Sequence, residues 1–291
     1  MTKGDYTYSD LVRVLQEMGL KKGDVVHVHS ALFPLGTMAD VPLRDTPKFV
    51  LKAFREVLGK EGTLTVPTSF DDYARFGTPF DCRKSPVDRG QGVFSQYITS
   101  LPESVRSFNP LSSVTGVGPL AKSICHEPSG SGYGAGSPWE KLYDYDSKMC
   151  FLGLRPSQAF TFVIYIQARF GVPHFYNKIY TTPVYEDGVP VPYPIVSCVR
   201  YRDPRFKISE NPKPFETHLE DKGYIQKGSI GRGWIYYLSS TKKIYEEGAK
   251  KVQENNYYFC VQKPEFVPGE IPMDGSTGKY IPEHIRLGKG S

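Results

Sequence analysis

The segment RSFNPLSSVTGVG, residues 106–118, places three polar side chains just before a short predicted strand at 114–117. Asn109, Ser112 and Ser113 can donate and accept hydrogen bonds, but the segment contains no histidine. A serine is no base near neutral pH. A reaction centre built here would therefore act by placing its reactants and by hydrogen bonding, with any proton relayed through water.

The elements that must position this segment begin with a strand–loop–helix–strand order. The stretch 9–19 reads as a helix with Ser9 as N-cap, and the β-branched residues at 24–29 read as a strand. A turn at 30–36, a helix at 46–58 and a strand at 63–68 follow. This order predicts an α/β sheet with a ligand crevice beyond the strand ends.

The remaining patterns complete the predicted fold. Ser137, Pro138 and Glu140 form a capping box that starts a helix, and 179–201 alternates around a DG turn like antiparallel hairpins. We expect a mixed central sheet flanked by helices, with an antiparallel elaboration in the C-terminal third. The further predicted elements are helices at 90–101, 119–126, 161–171 and 240–255 and a strand at 149–154.

One domain is expected over residues 1–291. Its core would span 9–180, its C-terminal elaboration 181–262, and an irregular tail rich in proline and glycine 263–291. No internal repeat is present in the sequence.

Composition limits the classes of partner. The net charge of +5 is mild and suits an anionic small ligand, while no basic run interleaved with aromatic residues indicates nucleic-acid binding. No apolar run could span a bilayer, and no signal peptide opens the chain. Five scattered cysteines without a CxxC motif indicate reduced thiols, so we expect a cytoplasmic protein.

Strong motifs of other enzyme classes are absent from the sequence. There is no GxxxxGK[ST], GxSxG or HExxH, and no zinc-type ligand spacing, so no metal is expected. The glycine-rich stretch 130–136 favours a flexible loop over a phosphate-binding loop, because no strand precedes it in the right register.

Six short segments, in order, resemble the antibiotic N-acetyltransferase family. VHSALFPLG is similar to the family's VHSSL…G, GTLTVPTS to GTLVMPTF, and FDCRKSP to FDPxxTP. RSFNPLSSVTGVGP is similar to RSxHPxHSVxxxGP, GAGSPWEKL to GxGSPxxxL, and CFLGL to LLGVG. No single segment is specific, but their order and spacing over about residues 9–180 are.

The resemblance implies a coenzyme A-dependent N-acyltransferase, with coenzyme A along the loop after the first strand. Small residues and backbone N–H groups at such a loop can bind phosphates and stabilise an oxyanion. A buried strand end is the alternative for His29. The residues expected to bind the cofactor are His29, Ser30, Ala31, Leu32, Gly36 and Ser113.

The departures from the family pattern concern the base. The histidines of HPxHS fall on Asn109 and Ser112, and the family's later TSLHLAE helix has Ile164 and Gln167 at its His and Glu positions. We therefore predict catalysis by Ser112, Asn109 and Asp72, with direct attack of a neutral amine on the thioester in a ternary complex. For Asp72, a solvated loop is an equal alternative. A non-catalytic relative that only binds coenzyme A remains a second hypothesis.

The expected acceptor is an amino-dideoxy sugar linked to a nucleoside diphosphate, with dTDP as the favoured nucleotide. Such sugars are used in the biosynthesis of surface polysaccharides such as O-antigen. The alternative is an aminoglycoside. The sequence does not determine whether the protein forms a homo-oligomer or which acyl chain it transfers. For Lys178, a surface lysine without a role in binding is an equal alternative. The residues expected to bind this substrate are Thr68, Ser69, Tyr73, Tyr176, Asn177 and Lys178.

Overall fold

A computed structural model describes residues 4–126, 129–201 and 204–266. Most of the predicted irregular tail, 267–291, lies outside these residues, and the predicted division into core, elaboration and tail stays a prediction.

A seven-stranded mixed sheet forms the centre of the molecule, with the strand order β11-β12-β6-β1-β2-β5-β4. Strands β1 and β2 are parallel, as are β1 and β6, whereas β5 runs antiparallel to β2 and β12 antiparallel to β6. The sheet strands are β1 Val25–Ser30, β2 Thr63–Pro67, β4 Val105–Arg106, β5 Val114–Val117, β6 Lys148–Leu152, β11 Ile225–Ile230 and β12 Gly233–Leu238.

Helices cover both faces of this sheet, as the sequence predicted. One face packs against α1, α2 and α4 through residues such as Leu15, Phe54 and Phe94, and the other packs against the later helices through Trp139 and Phe162. The α-helices are α1 Tyr8–Glu17, α2 Thr46–Leu58, α3 Asp72–Phe76, α4 Gly92–Thr99, α5 Ala121–Cys125, α6 Pro138–Asp144, α7 Pro156–Ala159, α8 Phe162–Phe170, α9 Lys213–Asp221 and α10 Thr241–Glu254.

Local signals explain where these helices begin. Ser137 caps α6 through Glu140 N, with Pro138 in the first turn, as predicted. The second half of the predicted capping box was wrong, because Glu140 Oε2 accepts from Gly136 N at 2.7 Å and not from the cap residue. The predicted cap of α1 was wrong, since Thr7 and not Ser9 accepts from the Asp10 backbone and Asp10 returns the bond. The capping-box pattern S/T-x-x-D/E is present in the sequence at Thr7 and Asp10, and the prediction placed the N-cap two residues too far along the chain.

Two small sheets lie beside the central one. β7 Phe175–Tyr180 pairs antiparallel with β10 Ile195–Arg200, and β3 Phe80–Asp81, β8 Val184–Glu186 and β9 Val189–Pro190 form a three-stranded sheet. The β7–β10 and β8–β9 pairs are the antiparallel hairpins expected around the DG turn, whereas β3 runs parallel to β8. The later strands β11 and β12 instead extend the central sheet, so the C-terminal third also belongs to its core.

Within the described residues, none of the helices combines the length and the apolar character that crossing a membrane requires.

Candidate active site

One edge of the central sheet gathers the residues that the sequence singled out. β1 and β2 end there, and the antiparallel strand β5 begins there, because Pro67 lies opposite Val114. The loops that follow Ser30 and Pro67 therefore meet the loop that precedes Val114. This is the crevice position at which open α/β sheets bind their ligands.

Hydroxyl groups from two of these loops form a connected chain. Thr68 Oγ1 lies 3.1 Å from Ser113 Oγ and 2.9 Å from Thr115 Oγ1, and Thr68 N donates to Ser113 O at 2.8 Å. All three side chains are buried. Thr68 was expected to bind the acceptor and Ser113 the cofactor. The structure brings them together, while the contacts with ligands stay predictions.

Arg106 holds this region in place, a role that the sequence reading missed. Its side chain is 2% exposed, and its guanidinium donates to Thr68 O, Ser85 O and Pro86 O and to Ser113 Oγ. Burial lowers the pKa of Arg106 to about 10, still well above neutrality, so the group remains a cation. The available signal was the arginine of the RS segment that opens the family-like motif.

Asn109 joins three separate segments of the chain. Its amide donates to Gly130 O at 2.9 Å and Val196 O at 3.0 Å, and its Oδ1 accepts from Ser197 Oγ at 3.0 Å. The same oxygen also accepts from the backbone N–H groups of residues 111 and 112. Because its hydrogen-bonding groups are all occupied by protein atoms, Asn109 acts in this conformation as a positioning residue.

Ser112 lies beneath the glycine-rich loop 130–136. It is 4% exposed, its hydroxyl finds no partner among the described residues, and its carbonyl accepts from Trp139 Nε1 at 3.0 Å. A Cβ added at Gly132 would lie 2.8 Å from Ser112 Oγ. The loop is held in turn by a hydrogen bond of 2.7 Å from Gly132 N to Val196 O, so its packing sets the surroundings of Ser112.

Two histidines lie side by side on one face of β1. His27 Nδ1 lies 2.9 Å from Thr65 Oγ1, and the His27 and His29 rings meet edge-on at 4.8 Å. Burial lowers the pKa of His29 to about 3, and burial followed by the neighbouring His29 lowers the pKa of His27. Both rings are therefore neutral at physiological pH, and the Nε2 atom of each has no partner in the described structure.

Two of the six residues expected to bind the cofactor border an apolar cavity. Leu32 and Gly36 line a space of about 230 Å³ together with Phe33, Val93 and Arg232. His29, in contrast, is buried and stacked on Phe151, and the N–H of Ala31 donates to Leu152 O. Ser30 Oγ is buried without a partner among the described residues and lies close to Gly92, at the start of α4.

A larger cavity of about 590 Å³ opens beyond the end of β2. Asp72, which was expected to be catalytic, lines it together with Phe70, Asp88, Arg89 and Gln96. Two cations at its rim are paired with carboxylates, since Lys84 Nζ lies 2.8 Å from Asp187 and Arg83 Nε 4.0 Å from Glu186.

Asp71, which the sequence analysis did not select as catalytic, has a carboxyl group with a raised pKa. Burial, followed by the repulsion of Asp88, raises the pKa of Asp71 to about 6, although Arg75 lies 3.2 Å away and opposes the shift. Ser69 donates to Asp88 at 3.0 Å and accepts from Gln91 Nε2 at 2.7 Å. A carboxyl group that titrates near neutrality beside a cavity is a candidate acid–base group.

The remaining residues expected to bind substrate lie on α3 and on β7. Tyr73 is buried and donates its hydroxyl to Thr182 O at 2.7 Å. Tyr176, Asn177 and Lys178 lie on β7, outside the cavities described above, and Lys178 Nζ sits 5.1 Å above the ring of Tyr180. β7 pairs with β10, where Lys178 lies opposite Ser197, and Ser197 Oγ donates to Asn109 Oδ1 at 3.0 Å. Residues 176–178 therefore lie one strand away from Asn109, and their role in binding stays a prediction.

Curated relatives share much of the chain. It is 28% identical over 270 residues to aminoglycoside N(3)-acetyltransferase III of Serratia marcescens, covering 86% of this chain and 98% of that protein. It is also 28% identical over 202 residues to aminoglycoside N(3)-acetyltransferase VIII of Streptomyces fradiae, covering 64% of this chain and 68% of the relative.

Solved structures show the same fold. The structure named AAC-IIIb binary with CoASH matches with a TM-score of 0.72 at 22% identity, covering 89% of this chain and 99% of that one. The structure named AAC-VIa bound to sisomicin matches with a TM-score of 0.71 at 20% identity, covering 86% and 98%. At these identities the likeness establishes the fold, and the predicted mixed α/β class is confirmed.

The predicted acceptor, by contrast, was wrong. The relatives are named for aminoglycosides, structural neighbours are named as complexes with aminoglycosides, and none of the reported matches points to a nucleotide-linked sugar. The inference had rested on the overall positive charge and on residues 176–178. A net charge summed over the chain does not describe the charge of one cavity.

The family model described as Aminoglycoside 3-N-acetyltransferase matches residues 27–253, which include every loop of the candidate site. The predicted family and enzyme class, a coenzyme A-dependent N-acyltransferase, are thereby confirmed, as is coenzyme A as the co-substrate of this class. The chain belongs to the aminoglycoside 3-N-acetyltransferase family.

Proposed function

We propose that this protein transfers an acetyl group from acetyl-CoA to an amine of an aminoglycoside, at the edge where β1, β2 and β5 meet. The observation that carries the proposal is the match to aminoglycoside N(3)-acetyltransferase III of Serratia marcescens over 98% of that protein's length. The position of the acceptor amine, N3, is taken from the names of these relatives.

The linings of the two cavities support separate binding sites for acetyl-CoA and for the acceptor. The smaller one is largely apolar and is reached from the loop after β1, so it suits the pantetheine arm or the adenine ring, and its cation Arg232 is paired with Asp5 at 3.4 Å. The larger one contains Asp72 and Asp88, while two of its three cations are paired with carboxylates from outside it. That arrangement suits a polycationic acceptor.

The reaction needs little covalent chemistry from the protein. The amine lone pair attacks the thioester carbonyl carbon, the C–N bond forms, the C–S bond breaks, and coenzyme A leaves as its thiolate. Ser30 and Ser112 each carry a hydroxyl without a partner among the described residues, so either can donate to the carbonyl oxygen as negative charge develops there. The cationic Arg106, held close to Ser113, favours the same charge.

The proton released by the amine requires an acceptor. Positions 109 and 112, where the family pattern has histidines, hold asparagine and serine here. Asp71, with a pKa raised to about 6 by burial and by Asp88, is the group near the larger cavity best suited to take the proton at neutral pH. Positioning alone can contribute about 7–11 kcal/mol in well-oriented reactions, so a weak base suffices.

The test is an assay of the purified protein with acetyl-CoA and a panel of aminoglycosides, including sisomicin, gentamicin and apramycin. We expect thiol release that depends on the acceptor, together with a product heavier by one acetyl group. An acceptor whose N3 amine is already acetylated serves as the control and should give no turnover.

A second function, binding of coenzyme A without catalysis, is favoured by the replacement of both histidines. Calorimetry distinguishes it in the same preparation. Heat of acetyl-CoA binding without thiol release for any aminoglycoside would overturn the proposed transfer and support the binding protein.

A further inference from the structure

Outside the sheet edge, three side chains that can bind metals converge. The ligand atoms of Cys82, His126 and Glu186 all lie within 4.8 Å of one another, the one such group of three found in the described part of the chain. Cys82 and His126 have no part in the proposed transfer, and Glu186 enters it only as the carboxylate 4.0 Å from Arg83 at the rim of the larger cavity. They are far apart in the sequence, which explains why no metal motif was visible there.

The fold brings the three together from separate elements. β3 and β8 are parallel neighbours, and Cys82 N donates to Tyr185 O at 3.0 Å, which sets the cysteine beside Glu186 at the end of β8. His126 follows α5, its ring packs 4.6 Å from that of Phe108, and its Nε2 lies 2.9 Å from Glu186 Oε1. The backbone at two of the three positions is therefore held by sheet pairing.

The donor set is that of a zinc site. Zn²⁺ binds cysteine sulfur, histidine nitrogen and carboxylate oxygen in tetrahedral geometry, which places ligand atoms roughly 3.3–3.6 Å apart. Ligand atoms within 4.8 Å of one another, with His126 Nε2 and Glu186 Oε1 at 2.9 Å, need only small side-chain shifts to reach that spacing. Cysteine as thiolate and glutamate as carboxylate would balance the two positive charges of the metal.

The site is also accessible. Cys82 is 2% exposed and lies at the bottom of the cluster, whereas the His126 and Glu186 side chains are 16% and 35% exposed. An ion can therefore approach from solvent past the histidine and the carboxylate, and a water molecule can complete the tetrahedron. This open fourth position distinguishes the cluster from closed structural sites with four protein ligands.

We propose that Cys82, His126 and Glu186 bind one divalent transition-metal ion, Zn²⁺ in the first place. The ion clamps the β3–β8–β9 sheet to the end of α5. It also fixes the start of the segment 83–89, which forms one wall of the larger cavity. The competing arrangement is a hydrogen-bonded His126–Glu186 pair above a protonated thiol.

Cobalt titration of the chelator-treated, full-length protein tests the site, because Co²⁺ bound to a thiolate gives a sulfur-to-metal charge-transfer band in the near ultraviolet. We expect one Co²⁺ per chain, a band that added Zn²⁺ abolishes, and a higher melting temperature with Zn²⁺. Absence of the band in the folded wild-type protein would overturn the proposal.

Variants locate the site. Cys82→Ser should lose the band, and Glu186→Gln should keep it with weaker Co²⁺ affinity, with circular dichroism confirming that both are folded. The matched control is Cys260→Ser, because Cys260 Sγ also contacts a histidine, at 3.5 Å from His174 Nε2. The control should retain the band. A band that survives Cys82→Ser, or that disappears with Cys260→Ser, would place any metal elsewhere and reject the cluster.

Discussion

The carboxyl group of Asp71 is partly desolvated and lies beside Asp88, and these two influences raise its pKa from 3.8 to about 6. The folded protein therefore binds this proton more tightly than the unfolded chain does. It follows that the group makes the fold less stable as pH rises from about 4 to about 6, and the penalty is complete above that range.

Asp71→Asn removes this penalty. Relative to wild type, the variant should gain about 1–2 kcal/mol of unfolding free energy between pH 4 and pH 6.5, a figure reduced for solvent screening and for the Arg75 ion pair. Urea unfolding at several pH values measures the difference. If Asp71 is the proton acceptor, the same variant should also lose about 10²-fold or more in kcat at neutral pH.

Asp187→Asn is the control, because the pKa of Asp187 is lowered by folding whereas that of Asp71 is raised. Lys84 hydrogen-bonds to Asp187 and lowers its pKa, so this carboxylate stabilises the fold above its unfolded pKa and loses that effect at lower pH. Asp187→Asn should therefore show no gain between pH 4 and pH 6.5. A gain equal to that of Asp71→Asn would contradict the assignment.

Asn109 and Ser112, three residues apart, should differ sharply when replaced. Asn109→Leu removes the acceptor of Ser197 Oγ and of the backbone N–H groups of residues 111 and 112, together with one of the two donors to each of Gly130 O and Val196 O, so we expect a loss of about 3 kcal/mol or more in unfolding free energy. Ser112→Ala removes a hydroxyl without a partner among the described residues and should cost less than about 1 kcal/mol. Denaturant unfolding of both variants provides the comparison, and equal losses would argue against Asn109 as the joining residue.

At the scale of elements, the glycine-rich loop 130–136 lies over the loop that precedes β5, and Gly132 marks their closest approach. Gly132→Ala puts a Cβ 2.8 Å from Ser112 Oγ and 3.4 Å from Asn109 Nδ2. We expect a destabilisation of about 1–3 kcal/mol from this overpacking. In the Ser112→Ala background the loss should shrink by about 0.5 kcal/mol or more, which a double-mutant cycle measures.

Gly90→Ala is the matched control for this substitution, because a Cβ at Gly90 would meet nothing within 4 Å. Its effect should stay within about 0.5 kcal/mol. Strict additivity of Gly132→Ala and Ser112→Ala would show that the two loops do not press on each other.

At the scale of the whole molecule, the two cavities have different linings, since Val93 at the start of α4 borders the smaller and Gln96, one turn later, borders the larger. Val93→Trp should fill the smaller cavity and raise KM for acetyl-CoA by about tenfold, with little change in KM for the aminoglycoside. Asp72→Asn should do the reverse, because it removes a negative charge from the larger cavity. Steady-state kinetics with each substrate varied in turn measure both KM values. If Val93→Trp raised KM for the aminoglycoside and Asp72→Asn raised KM for acetyl-CoA, the assignment of the cavities would be reversed.

Much of the fold could be read from local patterns. The bounds of α2 and β5 matched because their signals, a proline in the first turn and a short β-branched run, lie within the element itself. The placement of β11 and β12 could not be read in this way, because pairing with β6 joins residues some 80 positions apart in the chain. Strand pairing between distant segments leaves no periodic trace in either segment.

The sequence by itself determined the family and the α/β class, because six short motifs in fixed order, together with helix and strand periodicity, are properties of neighbouring residues. Tertiary structure decided which polar residues have free groups. Asn109 donates to Gly130 O and Val196 O, Arg106 is buried among carbonyl oxygens, and burial with the neighbouring Asp88 raises the pKa of Asp71. Burial and hydrogen-bond partners depend on contacts between segments far apart in the chain, so residue type and spacing cannot supply them.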